Sequence, residues 1–112
     1  MKGRRKTVDS GTLVTVIITC LIKPDKIEEA KRELEAVIKI VMAQENACHG
    51  VGVHVQPKQP QRLLIIERWD SEEVFTGPHM QTPHMQTFLK KAETFLDGVA
   101  EFSFWKEIVV AP

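Results

Sequence analysis

Glu67–Phe88, ERWDSEEVFTGPHMQTPHMQTF, contains the end of a strand followed by two separate helix starts. The run Arg62–Trp69 leading into it is rich in β-branched and large apolar residues and predicts a strand. Asp70 or Ser71 then caps a short helix through Glu72, Glu73, Val74 and Phe75. Gly77-Pro78 is expected to end it. The pentad PHMQT occurs twice in tandem, at Pro78–Thr82 and Pro83–Thr87. Its second copy opens a new helix, with Thr82 as N-cap and Pro83 at the first helical position, followed by Met85, Phe88, Leu89 and Ala92.

On the N-terminal side, Leu13–Ile22 (LVTVIITCLI) reads as a strand stopped by Lys23-Pro24-Asp25. Asp25 and Glu28 form a capping-box pattern for a helix reaching about Gln44. Ile27, Ala30, Leu34, Val37, Ile38, Val41 and Met42 recur at spacings of three and four, with charged residues between them. Val51–Gln56 alternates valines with other residues, as a half-buried strand does. Pro57–Gln61 turns the chain into a hairpin with Arg62–Trp69. Toward the C-terminus, Asp97-Gly98 breaks the third helix and Val99–Val109 is the last strand. The order β-α-β-β-α-β, with one extra short helix, is an α+β ferredoxin-like fold: an antiparallel four-stranded sheet with its helices on one face.

Alternation within the strands places apolar residues on both sheet faces. Leu13, Ile17 and Leu21 oppose Val14, Val16, Ile18 and Ile22; Leu64 and Ile66 oppose Leu63 and Ile65; Trp105 and Val109 oppose Phe102, Phe104 and Ile108. Helices on one face leave the other uncovered, which a lone soluble chain seldom tolerates. A homodimer through sheet-to-sheet packing, a dimeric α/β barrel, is therefore expected.

A chain of 112 residues fits one domain, with 1–11 a disordered leader and 12–109 the folded unit. Fifteen basic and fifteen acidic residues cancel, so no nucleic-acid surface is expected. No run approaches the ~18 apolar residues of a membrane span. The basic start MKGRRK before an apolar stretch raises a signal peptide or a lipid anchor at Cys20. No small-residue cleavage site accompanies it, and the stretch has strand character, so a cytoplasmic protein with reduced Cys20 and Cys48 is expected. There is no tyrosine, which excludes any mechanism needing a phenolic side chain.

With the elements placed, the chain from about Thr12 to Val109 resembles the antibiotic biosynthesis monooxygenase family, whose members are dimeric α+β barrels. Four groups carry the likeness. Ile22-Lys23-Pro24-Asp25-Lys26 is similar to the family's strand-turn-helix junction. Gln44-Glu45-Asn46-Ala47-Cys48 resembles its E-P-G-C loop, with Asn46 and Ala47 replacing proline and glycine. Glu67-Arg68-Trp69-Asp70-Ser71-Glu72-Glu73 resembles E-x-W-x-S-x-E. His79–His84 resembles H-x4-H. The resemblance implies oxidation of quinols or polycyclic phenols by dioxygen without a cofactor, haem degradation, or isomerisation of a phospho-sugar. The haem-degrading members need a tryptophan and a histidine at positions falling near Pro78 and Phe88, which cannot serve. The polyketide-oxidising members use tyrosines, absent here. Quinol oxidation remains, beside a non-enzymatic dimeric ligand-binding or stress-related module and an acid/base isomerase of a small polar substrate.

Cofactor-free oxygenation needs an apolar pocket and a base that makes an electron-rich anion. His79 is the first candidate base, because an unperturbed imidazole titrates near neutrality; the plainer alternative is a helix-end residue bonded to backbone carbonyls. Glu67 shares a strand face with Leu63, Ile65 and Trp69, so its carboxylate needs a partner, expected to be His79 or a backbone amide. Trp69 can wall a flat aromatic ligand or simply fill the core. His54 faces away from the three valines, into either the dimer interface or the pocket. His84 and Met80 complete the candidate substrate-binding set. Pentad spacing would put His84 off the face of His79 in a continuous helix, and Pro83 is expected to break that continuity. No cysteine or carboxylate stands at a ligand-like spacing from the pair, so no metal site is expected.

Overall fold

The computed structural model describes residues 12–112. The expected leader, 1–11, lies outside the described residues. The elements are β1 (Val14–Leu21), α1 (Ile27–Gln44), β2 (Cys48–Gln56), β3 (Gln59–Trp69), α2 (Glu72–Val74), a π-helical turn (Phe75–His79), α3 (Pro83–Phe95) and β4 (Glu101–Lys106). The four strands form one antiparallel sheet in the order β2-β3-β1-β4. This is the ferredoxin-like α+β fold.

Register fixes the faces. Val16 pairs with Glu67 and with Phe104; Ile18 pairs with Ile65 and with Phe102; Val51 pairs with Glu67. These residues, with Leu63 and Trp69, face the helices. The buried stripe of α1 (Ala30, Leu34, Val37, Val41) and that of α3 (Met85, Ala92, Phe95) pack onto them. The opposite face carries Ile17, Leu21, Leu64, Ile66 and Trp105 among Thr15, Thr19 and Arg68. Trp105 is 57% exposed there.

Five local expectations need correction. β2 begins at Cys48 instead of Val51, because Cys48 already pairs with Trp69 and Gly50 with Arg68. The N-cap of α1 is Lys26, and no side chain caps it. Asp25 is used up in a turn closed by the Lys26 N–H donating to the Lys23 carbonyl, so it sits one residue too early. β3 begins at Gln59, because only Pro57 and Lys58 are needed to turn. Pro60 is tolerated in the strand because the β1 ladder ends at Leu21–Arg62, so its missing N–H costs no bond on that side. The π-helical turn runs through Gly77-Pro78 instead of stopping before it. Proline cannot donate in an α-helical ladder, and the wider turn accommodates it. β4 is shorter than expected. β1 offers partners only from Val14 to Thr19, so Val99, Ile108 and Val109 have no neighbour strand and stay exposed.

The remaining boundaries follow local chemistry. The Ser71 hydroxyl accepts from the Val74 N–H at 3.1 Å and caps α2. The Thr82 hydroxyl accepts from the Met85 N–H at 3.3 Å and donates to the His79 carbonyl at 2.8 Å. One side chain thus starts α3 and ties it to the preceding turn. Gly98, with φ of +94°, makes the reversal before β4.

Candidate functional site

The two PHMQT copies converge. The His79 Nδ1–H donates to both oxygens of the Glu45 carboxylate, at 3.0 and 2.9 Å. The His84 Nε2–H donates to Glu45 Oε2 at 2.6 Å. One continuous helix would have put the two histidines on different faces; the break expected at Pro83 is present, with Thr82 as the N-cap of α3, and both histidines reach Glu45. Glu45 is the C-cap of α1, where the helix macrodipole disfavours a carboxylate and the last turn has no basic residue. Two imidazole N–H groups compensate that charge. Sequence reasoning quoted Glu45 within a loop motif but gave it no role. An acid closing an apolar-striped helix without a neighbouring base was the available signal.

His79 is only 3% exposed. Its ring centroid lies 4.3 Å from that of Trp69 and 5.3 Å from that of Phe75, onto which it stacks. Burial pushes the imidazole below its ordinary pKa. The hydrogen bond and charge of Glu45 pull it upward without overcoming burial, and His84 adds a further downward push. His79 is therefore a neutral imidazole at neutral pH. With Nδ1–H committed to Glu45, Nε2 carries the lone pair.

Glu67 finds neither expected partner. The Trp69 indole N–H donates to its Oε1 at 2.8 Å, two residues along the same strand face. Burial pushes the Glu67 carboxyl up, the indole N–H pulls it partly back, and the charge of Glu45 raises it again.

His79, Glu67 and Met80 line a partly enclosed cavity of about 120 Å³ between the helices and the sheet. Its other walls are apolar and include Phe75, Met85 and Phe102. Trp69 is fully buried behind Glu67 and His79 and does not itself face the cavity. His84 stands behind Glu45 and lines a separate groove between α1 and α3. His54 lies opposite Leu64 on the outer face, away from the cavity, with its Nδ1 3.3 Å from the Leu64 carbonyl oxygen. The site thus gathers His79, Glu67, Met80 and, one layer back, Trp69 and His84, and leaves His54 out.

Cys20 also lines the cavity; burial raises its pKa, so it stays a neutral thiol. Cys48 is buried with its S–H directed at the Gly50 carbonyl, while the adjacent His49 pairs with Asp70 at 2.7 Å. Those two neighbours do not form a nucleophile–base pair. Among the described residues no group of three or more His, Cys, Asp and Glu is arranged to hold a metal ion. No helix of the described residues is long and apolar enough to cross a membrane.

The sequence profile of the family described as antibiotic biosynthesis monooxygenase matches residues 13–91. The chain belongs to the antibiotic biosynthesis monooxygenase family. Solved structures agree on the fold. A conserved protein from Methanosarcina mazei superposes with a TM-score of 0.79 at 21% identity, covering 88% of this chain and 96% of its own. A Nitrosomonas europaea protein, provisionally named an antibiotic biosynthesis monooxygenase, gives 0.80 at 14% identity, covering 91% and 96%. A Bordetella bronchiseptica protein with the same provisional name gives 0.79 at 16% identity, covering 88% and 99%. No curated protein sequence matches the chain.

Glu67 and His79 in this family member shift in opposite directions and give stability opposite pH dependences. Glu67 is raised above its ordinary value of 4.5, so its stabilising contribution is present below pH 4.5 and is lost as pH rises through the folded-state value. His79 is lowered below 6.5, so its contribution is present above pH 6.5 and is lost as pH falls through its folded-state value. Glu67→Gln keeps an acceptor for the indole and removes the ionisation cost. Its stability relative to wild type should rise as pH increases from 4 to 7, measured by urea unfolding at each pH. A difference that stays flat or falls over that range would show that Glu67 ionises at no cost.

Proposed function

We propose that the cavity binds a small phenol or quinol and that the chain oxidises it with dioxygen as a cofactor-independent monooxygenase. The observation supporting this reading is a neutral imidazole, held by a partly buried carboxylate, at the edge of an apolar cavity. His79 Nε2 takes the phenolic proton, and Glu45 stabilises the imidazolium that forms. The resulting anion gives one electron to dioxygen. The phenoxyl radical and superoxide combine at a ring carbon bearing hydrogen. A proton from the imidazolium completes the hydroperoxide. Loss of water then leaves a carbonyl on the ring, with one oxygen atom in the product and the other in water. Apolar walls favour the step because they deny the anion the solvation that would make it a poorer electron donor.

Oxygen consumption with a panel of phenols and quinols tests this reading. Wild type should exceed the buffer rate, and His79→Ala should lose about 10²-fold or more of the enzymatic rate. Uptake equal to buffer for every compound, or an unchanged His79→Ala rate, would refute it. The pairing of a lowered His79 with a raised Glu67 also suits a proton shuttle without oxidation. Deuterium from solvent entering a recovered carbon acid, with no oxygen consumed, would favour that isomerase reading.

We also propose that a second copy covers the outer sheet face, as Ile17, Leu21, Leu64, Ile66 and Trp105 suggest. Light scattering at micromolar concentration should give twice the mass of one chain. A monomeric mass would sink the idea.

A further inference from the structure

The cavity has one polar end. Of the side chains lining it, only Glu67, His79 and Cys20 carry polar atoms. Glu67 and His79 belong to the same end, because both contact Trp69: the first accepts its indole N–H at 2.8 Å, and the second packs against its ring at 4.3 Å between centroids. Cys20 pairs with Leu63, four residues along β3 from Glu67, which is about 13 Å of strand. A neutral thiol is a weak partner, so the far end is in effect apolar. Size adds a second restriction. An apolar cavity of roughly 150 Å³ engineered into another protein holds one benzene ring. At about 120 Å³ this cavity has room for one ring and not for two fused ones.

We propose that the ligand of this site is a single-ring aromatic with hydroxyls on adjacent carbons, a catechol, rather than a para-quinol or a fused-ring quinol. With both oxygens on one edge, one hydroxyl gives its proton to His79 Nε2. Its neighbour meets the Glu67 carboxyl, which offers an acceptor oxygen in either protonation state. A para-hydroxyl would instead be buried at the apolar end without an adequate partner. That loss weakens binding about tenfold or more. A second fused ring would have to displace Met80 or Met85 or protrude from the opening. Ortho arrangement also places the proton to be removed and its hydrogen-bonded neighbour beside the base together. Only the turnover of such a ligand rests on the oxidation proposed above; its binding does not.

Anaerobic calorimetry separates the two ideas, because oxidation cannot proceed without dioxygen. Catechol, hydroquinone and 1,4-naphthalenediol are titrated into wild type and Glu67→Leu. Catechol should bind wild type about tenfold or more tightly than hydroquinone, with the naphthalenediol weakest. Glu67→Leu should erase most of the catechol advantage, with its melting curve confirming the fold; the wild-type ranking decides the matter alone if that variant does not fold. Hydroquinone or naphthalenediol binding as well as catechol, or no catechol binding at all, overturns the proposal. Catechol preference without aerobic oxygen uptake leaves the ligand class standing and removes the oxidation. Uptake that runs equally well on para-quinols does the reverse.

Discussion

One carboxylate shared by two imidazoles organises this molecule. Glu45 ends α1, His79 ends the π-helical turn, and His84 opens α3, and the three side chains meet within 2.6 to 3.0 Å. A charge partly withdrawn from water needs hydrogen-bond donors in its place, and two N–H groups meet that need. The contact joins the end of α1 to two neighbouring segments that lie 34 and 39 residues further along the chain, at one corner above the sheet. It also determines the chemistry of His79, since committing Nδ1 leaves the other nitrogen as the basic one. The tandem pentads serve the same purpose twice: both histidines hold Glu45, and both methionines, Met80 and Met85, line the cavity.

Around that corner the sheet supplies the remaining parts. The ladder between β1 and β3 puts Glu67 and Trp69 on the helix-facing side. Period-two alternation then guarantees that Glu67 and the indole N–H lie on the same side and can bond. Aromatic rings of Phe75, Phe102 and Trp69 surround His79 or extend its walls, excluding water and lowering its basicity. A carboxyl pushed up and an imidazole pushed down in one small cavity have their protonation ranges drawn toward each other, which lowers the cost of passing a proton at the site.

Elements set by local pattern were legible in the sequence. The three-and-four spacing from Ile27 to Met42, the alternation in β1, and Thr82-Pro83 opening α3 each depend on neighbours in the chain, and the structure agrees with all three. Family membership was also readable, since the motifs occur in order along most of the chain. What could not be read depends on tertiary contact. Glu45 lies 34 residues from His79, and no local period links them. Asp25 had the sequence of a cap, but a turn consumed it. Pro78 looked like a stop, but packing of Phe75 and His79 on one side carried the chain through a wider turn. The cavity itself is a property of how α1 and α3 sit on the sheet, so its size and single polar end appear only in three dimensions.

The central claim is that Glu45 holds His79 as a neutral imidazole protonated on Nδ1. Long-range ¹H–¹⁵N correlation spectra of the histidine rings observe that state directly. At pH 7 the His79 ring should show the Nδ1–H tautomer, with Nε2 at the shift of an unprotonated nitrogen, and its protonation midpoint should lie below pH 6.5. An Nε2–H tautomer, or an imidazolium at pH 7, would contradict the account.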